Sequence, residues 1–336
     1  MKKSILLFLF FCQTIGAQNI SGHILDIKTK EPLVGATIYL DGTSIGTTSD
    51  FEGYFQLNIE LNNIYNANVI ISFIGFETRV LKPVELEDKM SISLTPSTNS
   101  LKEIELQFDL WSRSKKMHIF KREFLGNDYA ASRCKIENEK DIVLIHNSSE
   151  NTLTAHSNKP IKIINKYLGY EIYYSLMDFE IEFSDHIFGS VIPQSVYYIG
   201  TSFYNELNEK TKKSVLKNRN QTYSGSLLHF MRALVNRSLT ENDYIFYRNH
   251  AQVDPYKYFE ISEQENLFVK VSFNTQNIGV TYKEKEFSNI KVFREDQNTF
   301  YIDQTGNHSP ANALIFSGVF GQKRMSTKLP LNFNLN

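Results

Sequence analysis

The sequence predicts a Greek-key β-sandwich in the first third of the chain, followed by a β-rich α+β region. Three observations support this. About seven short alternating runs, separated by turns every ~8–12 residues, fill the first third. Beyond it, apolar residues at helical spacing are followed by a return to short strand-like runs. The composition, 41% hydrophobic and 22% charged, is that of a folded globular protein.

The first residues have the pattern of a secretory leader. Met1-Lys2-Lys3 is positively charged, an apolar run follows to Phe11, and Ile15-Gly16-Ala17 supplies the small residues of a cleavage site. The apolar run is shorter than the ~20 residues that cross a bilayer, so we expect a cleaved signal peptide at residues 1–17 rather than an anchor. The mature chain then has no predicted transmembrane helix. We expect an exported protein, either periplasmic or associated with the outer membrane or cell surface.

Charge and cysteine content exclude several classes of function. Lys and Arg number 36 and Asp and Glu 37, for a net charge of -1, so no global basic field is available to bind nucleic acid. Once a leader containing Cys12 is removed, Cys134 is the only cysteine, which excludes an internal disulfide and a multi-cysteine zinc site. We expect Cys134 to be a small buried side chain rather than a nucleophile.

The elements of the predicted sandwich follow one another between residues 18 and 105. Phe55, Leu57 and Ile59 fall on one face of their run, whereas Val69–Ile74 is almost continuously apolar, as in a central strand. Asp41-Gly42 provides a tight hairpin turn. The predicted strands lie at residues 20–26, 36–40, 46–50, 54–59, 69–74, 76–80 and 91–94.

Several spaced motifs of this segment agree with one known family. They are Gly22…Asp26, Pro32-Leu33-Val34-Gly35-Ala36-Thr37-Ile38, Gly42-Thr43, Gly46-Thr47-Thr48-Ser49-Asp50, Gly53-Tyr54-Phe55 and Phe73-Ile74-Gly75-Phe76. Together they resemble the carboxypeptidase-like regulatory domain, a transthyretin-like sandwich common in envelope proteins of Bacteroidetes. In that family the domain often precedes a TonB-dependent receptor, and residues 101–106 resemble the segment that leads into its plug. The chain beyond residue 106 is too short for such a receptor.

The resemblance implies a fold and no catalytic residues. Metallocarboxypeptidases that carry such a domain use a His-x-x-Glu zinc pair, and none of the eight histidines has Glu three residues later. We therefore expect no metal and no cofactor. The Gly-x-Ser-x-Gly match at residues 42–46 lacks the strand–turn–helix context of a nucleophile elbow. We interpret it as a hairpin loop whose glycines serve positive φ.

Residues 106–336 are predicted to form the second, α+β domain, of unknown function. Helical spacing is seen over residues 109–125, and basic residues make residues 205–217 a second candidate. A third helix runs to about Arg237, with Ser224 or Ser226 as its N-cap. The intervening runs read as strands. One of them exposes Asp178, Glu180 and Glu182, which we interpret as its solvent face.

This half also resembles secreted Bacteroidetes proteins that pair the same sandwich with an uncharacterised domain. The resemblance lies in Phe124-Leu125-Gly126, in residues 163–170 and in residues 219–234. The resemblance implies that the two domains occur together in secreted proteins. It implies no assigned activity.

The block from Arg219 to Arg232 contains the candidate binding residues. Arg219 and Arg232 can pair with a carboxylate, phosphate or sugar acid. Tyr223 can stack on a ring, and His229 can titrate near neutral pH. The alternative interpretation is structural, with Ser226 capping a helix whose His and Arg side chains pair locally. A Ser226/His229 nucleophile–base pair would lack the third, orienting group.

Two hypotheses for function follow. The first is a non-enzymatic cell-envelope protein with a binding or accessory role towards a partner protein or glycan. The alternative is a hydrolase acting on an envelope or polymeric substrate, with its site in the C-terminal domain. The 25 Phe and 18 Tyr are divided between two cores and a few Tyr-rich stretches, such as Tyr197-Tyr198, that are candidates for a binding surface.

Overall fold

The structure of the chain is a computed structural model. The predicted leader and the plug-like segment at residues 101–106 lie outside the described residues. The structure describes residues 18–59, 67–82, 85–87, 89–97, 111–184, 192–263, 268–293 and 298–334. No helix among these residues is long and apolar enough to cross a membrane.

The first third forms the predicted sandwich of two sheets. One sheet has the order β4-β1-β7 and the other β3-β2-β5-β6, and only the β1–β7 pair is parallel. The strands are β1 (Gln18–Asp26), β2 (Thr37–Leu40), β3 (Gly46–Thr48), β4 (Tyr54–Ile59), β5 (Val69–Ser72), β6 (Arg79–Leu81) and β7 (Met90–Leu94).

The sequence pattern explains how the sandwich closes. Phe55, Leu57 and Ile59 alternate along β4 and are all buried, so one face of this strand enters the core. Val69 to Ile71 on β5 are buried without alternation, as expected for a strand covered on both sides. The fold predicted for this segment is therefore confirmed.

The loop between β2 and β3 differs from the expectation in one respect. Gly42 has φ of 74°, the left-handed conformation that favours glycine, as predicted. Gly46 lies outside that region. Its lack of a side chain leaves room for the Phe203 ring, which a Cβ at this position would approach within 2.5 Å. The loop is therefore a docking element as well as a hairpin turn.

This loop joins the sandwich to the C-terminal half by backbone pairing. The Gly42 N–H donates to the Ser202 carbonyl at 2.7 Å, and the Tyr204 N–H donates to the Thr43 carbonyl at 3.0 Å. The Ser202 N–H donates to an Asp41 carboxylate oxygen at 2.8 Å. Burial raises the pKa of Asp41, and the bond from the Ser202 N–H opposes that shift. The loop thus extends the edge of a second sheet by one short segment.

A small apolar cluster reinforces this contact. Tyr39 stacks on Phe203 with ring centroids 5.1 Å apart, and Ile70 and Tyr173 pack beside them. The Tyr39 hydroxyl also lies 3.1 Å from the Thr201 hydroxyl. The sandwich is therefore held against its neighbour by aromatic packing and hydrogen bonds together.

The first part of the C-terminal half is a six-stranded sheet covered by helices. β10 and β11 lie end to end along one side of the long β12, and β13 pairs along its whole other side. Helix α1 packs its Met117, Phe120 and Phe124 against this sheet. The elements are α1 (Arg113–Leu125), α2 (Tyr129–Ser132), β8 (Cys134–Ile136), β9 (Ile142–Asn147), β10 (Thr152–Ser157), β11 (Ile161–Asn165), β12 (Tyr170–Phe183) and β13 (Pro193–Glu206).

The second part has its own hydrophobic core between two sheets, into which helix α4 packs. One sheet has the order β15-β14-β18-β19-β22 and the other β16-β17-β20-β21. The elements are α3 (Lys213–Tyr223), α4 (Leu227–Val235), β14 (Tyr244–Arg248), β15 (Ala251–Val253), β16 (Phe259–Glu263), β17 (Phe268–Phe273), β18 (Asn277–Tyr282), β19 (Glu286–Val292), β20 (Thr299–Asp303), β21 (His308–Ser309), β22 (Leu314–Gly318) and α5 (Val319–Gln322).

The helix predicted at residues 205–217 was placed too early. The preceding strand continues to Glu206, because its cross-strand pairing with β12 overrides the polar character of the end of the run. Helix α3 begins at Lys213 and ends at Tyr223. The predicted N-cap Ser226 is confirmed, since its hydroxyl accepts from the His229 N–H at 3.0 Å.

Residues 325–333 form a closing segment that contacts the six-stranded sheet, the sandwich loop and α4. Met325 and Leu329 are buried in the core of the six-stranded sheet. The Leu331 N–H donates to the carbonyl of Gly42 in the sandwich loop at 2.7 Å. From α4, Arg232 donates to the carbonyls of Leu331 and Phe333 at 2.8 and 2.7 Å. The closing segment therefore connects the sandwich, the six-stranded sheet and the second core.

We predict that Arg232→Met lowers the free energy of unfolding by about 3 kcal/mol. The backbone carbonyls that accept hydrogen bonds from the Arg232 guanidinium would lose their charged donor. Amide hydrogen exchange should become faster in residues 325–333. The matched control is Arg237→Met, because the guanidinium of Arg237 makes one exposed bond, to the Ile261 carbonyl. Denaturant unfolding of both variants measures the difference. Equal losses in the two variants would contradict the role assigned to Arg232.

Candidate functional site

The four sequence-predicted binding residues lie on or beside α3 and α4, and the structure separates one from the other three. Arg219 is on the buried side of α3. Tyr223 ends α3, and His229 and Arg232 are on α4, where these three side chains are neighbours. Their binding role stays a prediction, and the contacts of each are described in turn.

Arg219 is 4% exposed and fully engaged inside the protein. Its guanidinium forms a bidentate pair with the Glu206 carboxylate, at 2.8 and 2.7 Å, and donates to the Leu168 carbonyl at 2.7 Å. It also stacks over the Tyr170 ring at 3.8 Å. Burial raises the pKa of Tyr170 to about 12, and the nearby guanidinium opposes that rise. These contacts fasten α3 to the end of β13 and to the loop before β12.

His229 is held as a neutral ring by its hydrogen bonds. Its Nε2 lies 2.9 Å from the Asn242 Oδ1, which can only accept. Its Nδ1 accepts from the Gly225 N–H at 3.2 Å and lies 3.2 Å from the Tyr244 hydroxyl. A proton on Nδ1 would face the Gly225 N–H, so the charged ring cannot keep this arrangement. The pKa of His229 is lowered, first by burial and further by the positive charge of Arg232.

Tyr223 joins His229 to the closing segment. Its ring centroid is 5.0 Å from that of His229 and 5.7 Å from that of Phe333. The Arg232 guanidinium donates to the Tyr223 hydroxyl at 3.3 Å and to the Thr305 carbonyl at 2.8 Å. Because the remaining donors of Arg232 face the closing segment, this cluster is bonded internally. It supports the surface next to it rather than opening into a cleft.

That surface is a groove of about 730 Å³ between α3 and the β18–β19 hairpin. One side is formed by α3 and the Ser224 that follows it, in a stripe that is polar except for Leu216 and whose spacings of three and four residues place its members on one helix face. The other side is the turn of the hairpin. The groove is lined by Lys213, Leu216, Lys217, Asn220, Gln221, Ser224, Tyr282, Lys283 and Glu286.

The groove carries a net positive charge that the described residues do not neutralise. The ammonium groups of Lys213, Lys217 and Lys283 form no ion pair within the described part of the chain. Lys283 lies 5.3 Å above the Tyr282 ring. The carboxylate of Glu286 is already engaged, 3.6 Å from the Lys323 ammonium. A small anion or an acidic polymer would therefore find cationic partners on both walls.

The polar side chains of the groove are also unoccupied. Within the described residues the side chains of Asn220, Gln221 and Ser224 make no hydrogen bond. The amides offer both donors and acceptors, and the hydroxyl offers one of each. The sequence shows this face only once α3 is placed at residues 213–223, where the helical spacing runs from residue 213 to residue 224.

The structure offers little for the candidate nucleophiles. The Ser226 hydroxyl is the N-cap of α4, so it accepts from the His229 backbone rather than facing the His229 ring. Burial raises the pKa of Cys134 to about 12, which keeps its thiol protonated. Within the described residues no three His, Cys, Asp or Glu side chains are grouped to hold a metal ion.

Comparison with known proteins concerns the sandwich. A family model for the CarboxypepD_reg-like domain matches residues 20–106. Residues 20–106 are a CarboxypepD_reg-like domain. The transthyretin-like fold that the sequence resemblance implied for this segment is thereby confirmed.

Two curated proteins are similar to part of this chain. The TonB-dependent receptor SusC of Bacteroides thetaiotaomicron is 37% identical over 85 residues, which cover 25% of this chain and 8% of the receptor. The TonB-dependent receptor P3 of Formosa agariphila is 34% identical over 87 residues, or 26% of this chain and 8% of the receptor. The chain thus matches a small part of each receptor.

Among solved structures, a 9R-lipoxygenase from Cyanothece PCC8801 aligns over 66% of this chain and 49% of its own. The sequence identity is 11% and the TM-score 0.18, a similarity too low to support an argument. The groove and the Tyr223–His229–Arg232 cluster lie outside residues 20–106, the range that the family model matches.

We predict that His229 makes the folded protein less stable as the pH is lowered. An unfolded histidine binds a proton near pH 6.5, whereas the folded ring resists it, so the unfolded state binds more protons below about pH 6.5 and folding weakens. His229→Gln should therefore show a shallower loss of thermal stability between about pH 7.5 and about pH 5. His156→Gln is the control, since that ring is exposed on β10. Identical pH profiles for wild type and His229→Gln would exclude His229 as the source.

Proposed function

We propose that this protein is a non-enzymatic binding or accessory protein of the bacterial cell envelope, and that its groove binds an acidic glycan. One observation carries the proposal: unpaired lysines and unused amide and hydroxyl groups converge on a groove of about 730 Å³. That volume lies within the range of ordinary ligand sites.

The chemistry of the walls favours an acidic sugar polymer over other anions. Amide and hydroxyl side chains match the hydroxyl groups of sugars, because both can donate and accept. Lys213, Lys217 and Lys283 supply positive charge spread along the groove rather than focused on one point. A chain of uronic acids or sulfated sugars presents charge and hydroxyl groups in that repeating manner. Because the groove is open along α3, an extended ligand can enter from the side.

The supporting cluster gives the groove a fixed shape. Tyr282 lines the groove and lies beside Gly225, whose absent Cβ would approach the Tyr282 ring within 2.5 Å. The same ring is 5.9 Å from that of His229. In this proposal Tyr223, His229 and Arg232 position the groove, and Arg219 positions α3. A site that is rigid before binding loses less entropy when it binds.

Three observations support the envelope assignment. The first residues have the pattern of a secretory leader. Residues 20–106 match the CarboxypepD_reg-like domain, and two curated proteins that are similar to part of this chain are named TonB-dependent receptors. In the proposal the sandwich serves as an attachment module, and residues 111–334 carry the ligand site.

We predict that Lys213→Glu/Lys217→Glu weakens binding of polygalacturonate at least about tenfold, because both substitutions replace attraction by repulsion on one wall. Isothermal titration or affinity electrophoresis measures the change. The wild-type affinity should also fall as salt is raised.

The matched control is Lys28→Glu/Lys140→Glu, which changes the net charge equally at exposed positions away from the groove. Dextran serves as the neutral polymer. Binding of dextran as strong as that of polygalacturonate, or equal losses in both double variants, would contradict the proposed site.

A separate prediction tests the proposed location in the cell envelope. Expressed with its first residues in a Bacteroidetes host, the protein should be recovered from the envelope fraction with Gln18 as its first residue, because the small residues before it favour cleavage there. Intact-mass measurement and N-terminal sequencing report the cleavage. Recovery of uncleaved protein from the cytoplasmic fraction would overturn the envelope assignment and leave the groove prediction to be judged on its own.

A further inference from the structure

The sheet β15-β14-β18-β19-β22 has an outer face that the rest of the protein leaves exposed. Along its strands, buried residues alternate with more exposed ones. The buried set packs with α4 in one hydrophobic core. The other set forms the outer face, where Phe287 is 56% exposed and Ile315 is 45% exposed. This face is therefore accessible to a ligand.

The strand register gathers polar side chains around Phe287. Asn289 lies two residues further along β19 on the same face, across from Gly279 on one side and from Ser317 on the other. Tyr247 is across from Gly279 on β14. The amide of Asn289 and the hydroxyls of Ser317 and Tyr247 make no hydrogen bond to the described part of the chain. Each of these groups can both donate and accept.

Gly279 allows the Phe287 ring to lie across the sheet. A Cβ at position 279 would come within 3.2 and 3.3 Å of two carbons at the far end of that ring. The ring therefore leans over the glycine instead of standing away from the sheet, and its other side is open to solvent. A ring that is already held in place offers an apolar surface at a small cost in conformational entropy.

The exposed apolar area suits a small ring better than a protein partner. A stable protein interface buries about 800 Å² on each partner. On this face the well-exposed large apolar side chains are Phe287 and Ile315. Lys291 is the charged side chain among the outward residues of the five strands. Recognition here thus depends on ring shape and hydrogen bonds more than on charge.

We propose that this outer face binds a glucose unit of a neutral β-linked glucan, with the sugar ring stacked on Phe287. In a β-linked glucose every ring substituent is equatorial, so each face of the sugar presents C–H groups and the hydroxyls form its rim. The apolar face of the sugar packs on the aromatic ring. The rim hydroxyls then meet the amide of Asn289 and the hydroxyl of Tyr247.

This surface and the groove select different sugars. The units of dextran and polygalacturonate are α-linked, and their axial linkage oxygen interrupts one face of each ring. The groove attracts negative charge, whereas the Phe287 surface requires an uninterrupted sugar face. Glu286 lines the groove, and Phe287 follows it on β19 and so points to the opposite face of the hairpin. The two sites can therefore bind independently of one another.

Phe287→Leu tests the stacking without uncovering Gly279, because leucine keeps an apolar side chain at that position. Phe287→Tyr keeps an aromatic ring and serves as the conservative variant. The matched control is Phe51→Leu, which removes an 89% exposed ring from the turn before β4 in the sandwich. Neither position is in a hydrophobic core, so all three variants should fold.

Titration with cellotetraose, followed by calorimetry or by amide chemical shifts, should give wild type a dissociation constant of about 1 mM or below. We expect Phe287→Leu to raise it at least about tenfold, and Phe287→Tyr and Phe51→Leu to stay within about twofold of wild type. The amide signals of Gly279 and Asn289 should shift on binding. Lys213→Glu/Lys217→Glu should bind cellotetraose as wild type does, and Phe287→Leu should keep wild-type binding of polygalacturonate.

Wild-type protein that does not bind cellotetraose up to about 10 mM would overturn the proposal. Unchanged binding in Phe287→Leu, or an equal loss in Phe51→Leu, would do the same. A wild-type dimer in sedimentation that Phe287→Leu separates would assign the face to a second copy of the chain instead. Binding of cellotetraose without binding of polygalacturonate would support this surface and contradict the groove.

Discussion

The arrangement of the whole chain depends on the guanidinium of Arg232 and the carbonyls it holds. A guanidinium has five donors in a fixed plane, and here they face carbonyls from two separate segments and one tyrosine hydroxyl. The partly buried carbonyls of Leu331 and Phe333 are stabilised beside α4 by this donor, because a carbonyl that loses water and gains no hydrogen bond is costly. This interaction fixes the closing segment, and the closing segment in turn fixes the sandwich loop through Gly42.

Helix α3 shows how one short element can separate structural from functional demands. Its inner face holds Arg219, whose pairing with Glu206 is bidentate and whose ring contact with Tyr170 is close. Its outer face carries lysines and amides with no partner among the described residues. The ion pair resists displacement, because the Arg219 guanidinium is buried and would be left without its charge partner if Glu206 were removed. The outer face is thereby free to meet a ligand while the helix stays in place.

Short-range sequence patterns predicted the strands of the sandwich and the N-cap of α4, because both depend on neighbouring residues in the chain. The strands of the sandwich were predictable because Phe55, Leu57 and Ile59 repeat at the strand period, and Ser226 was predictable as a cap from its position before an apolar stripe. The start of α3 was not, because pairing with β12 decides where β13 ends.

The chemistry of the candidate site was harder to predict, for a related reason. Arg219, His229 and Arg232 have side chains suited to ligands, and the sequence drew attention to them on that ground. Whether their donors are free depends on carbonyls and side chains far away in the chain, such as Phe333 for Arg232. The helical stripe from Lys213 to Ser224 was visible in the sequence, yet only the β18–β19 hairpin opposite makes it a groove.

The closing segment also sets an order for the folding of the molecule. The hydrogen bond between Ser44 and Asn332 joins residues 288 positions apart in the chain. Closing so long a loop is slow, since its entropy is lost before the contacts that reward it have formed. A chain made from its N-terminus can form the sandwich before residues 325–333 are available to bond to Gly42. Assembly is therefore complete only when residues 325–333 have joined, and deleting them would leave the sandwich, the six-stranded sheet and the second core without the segment that connects them.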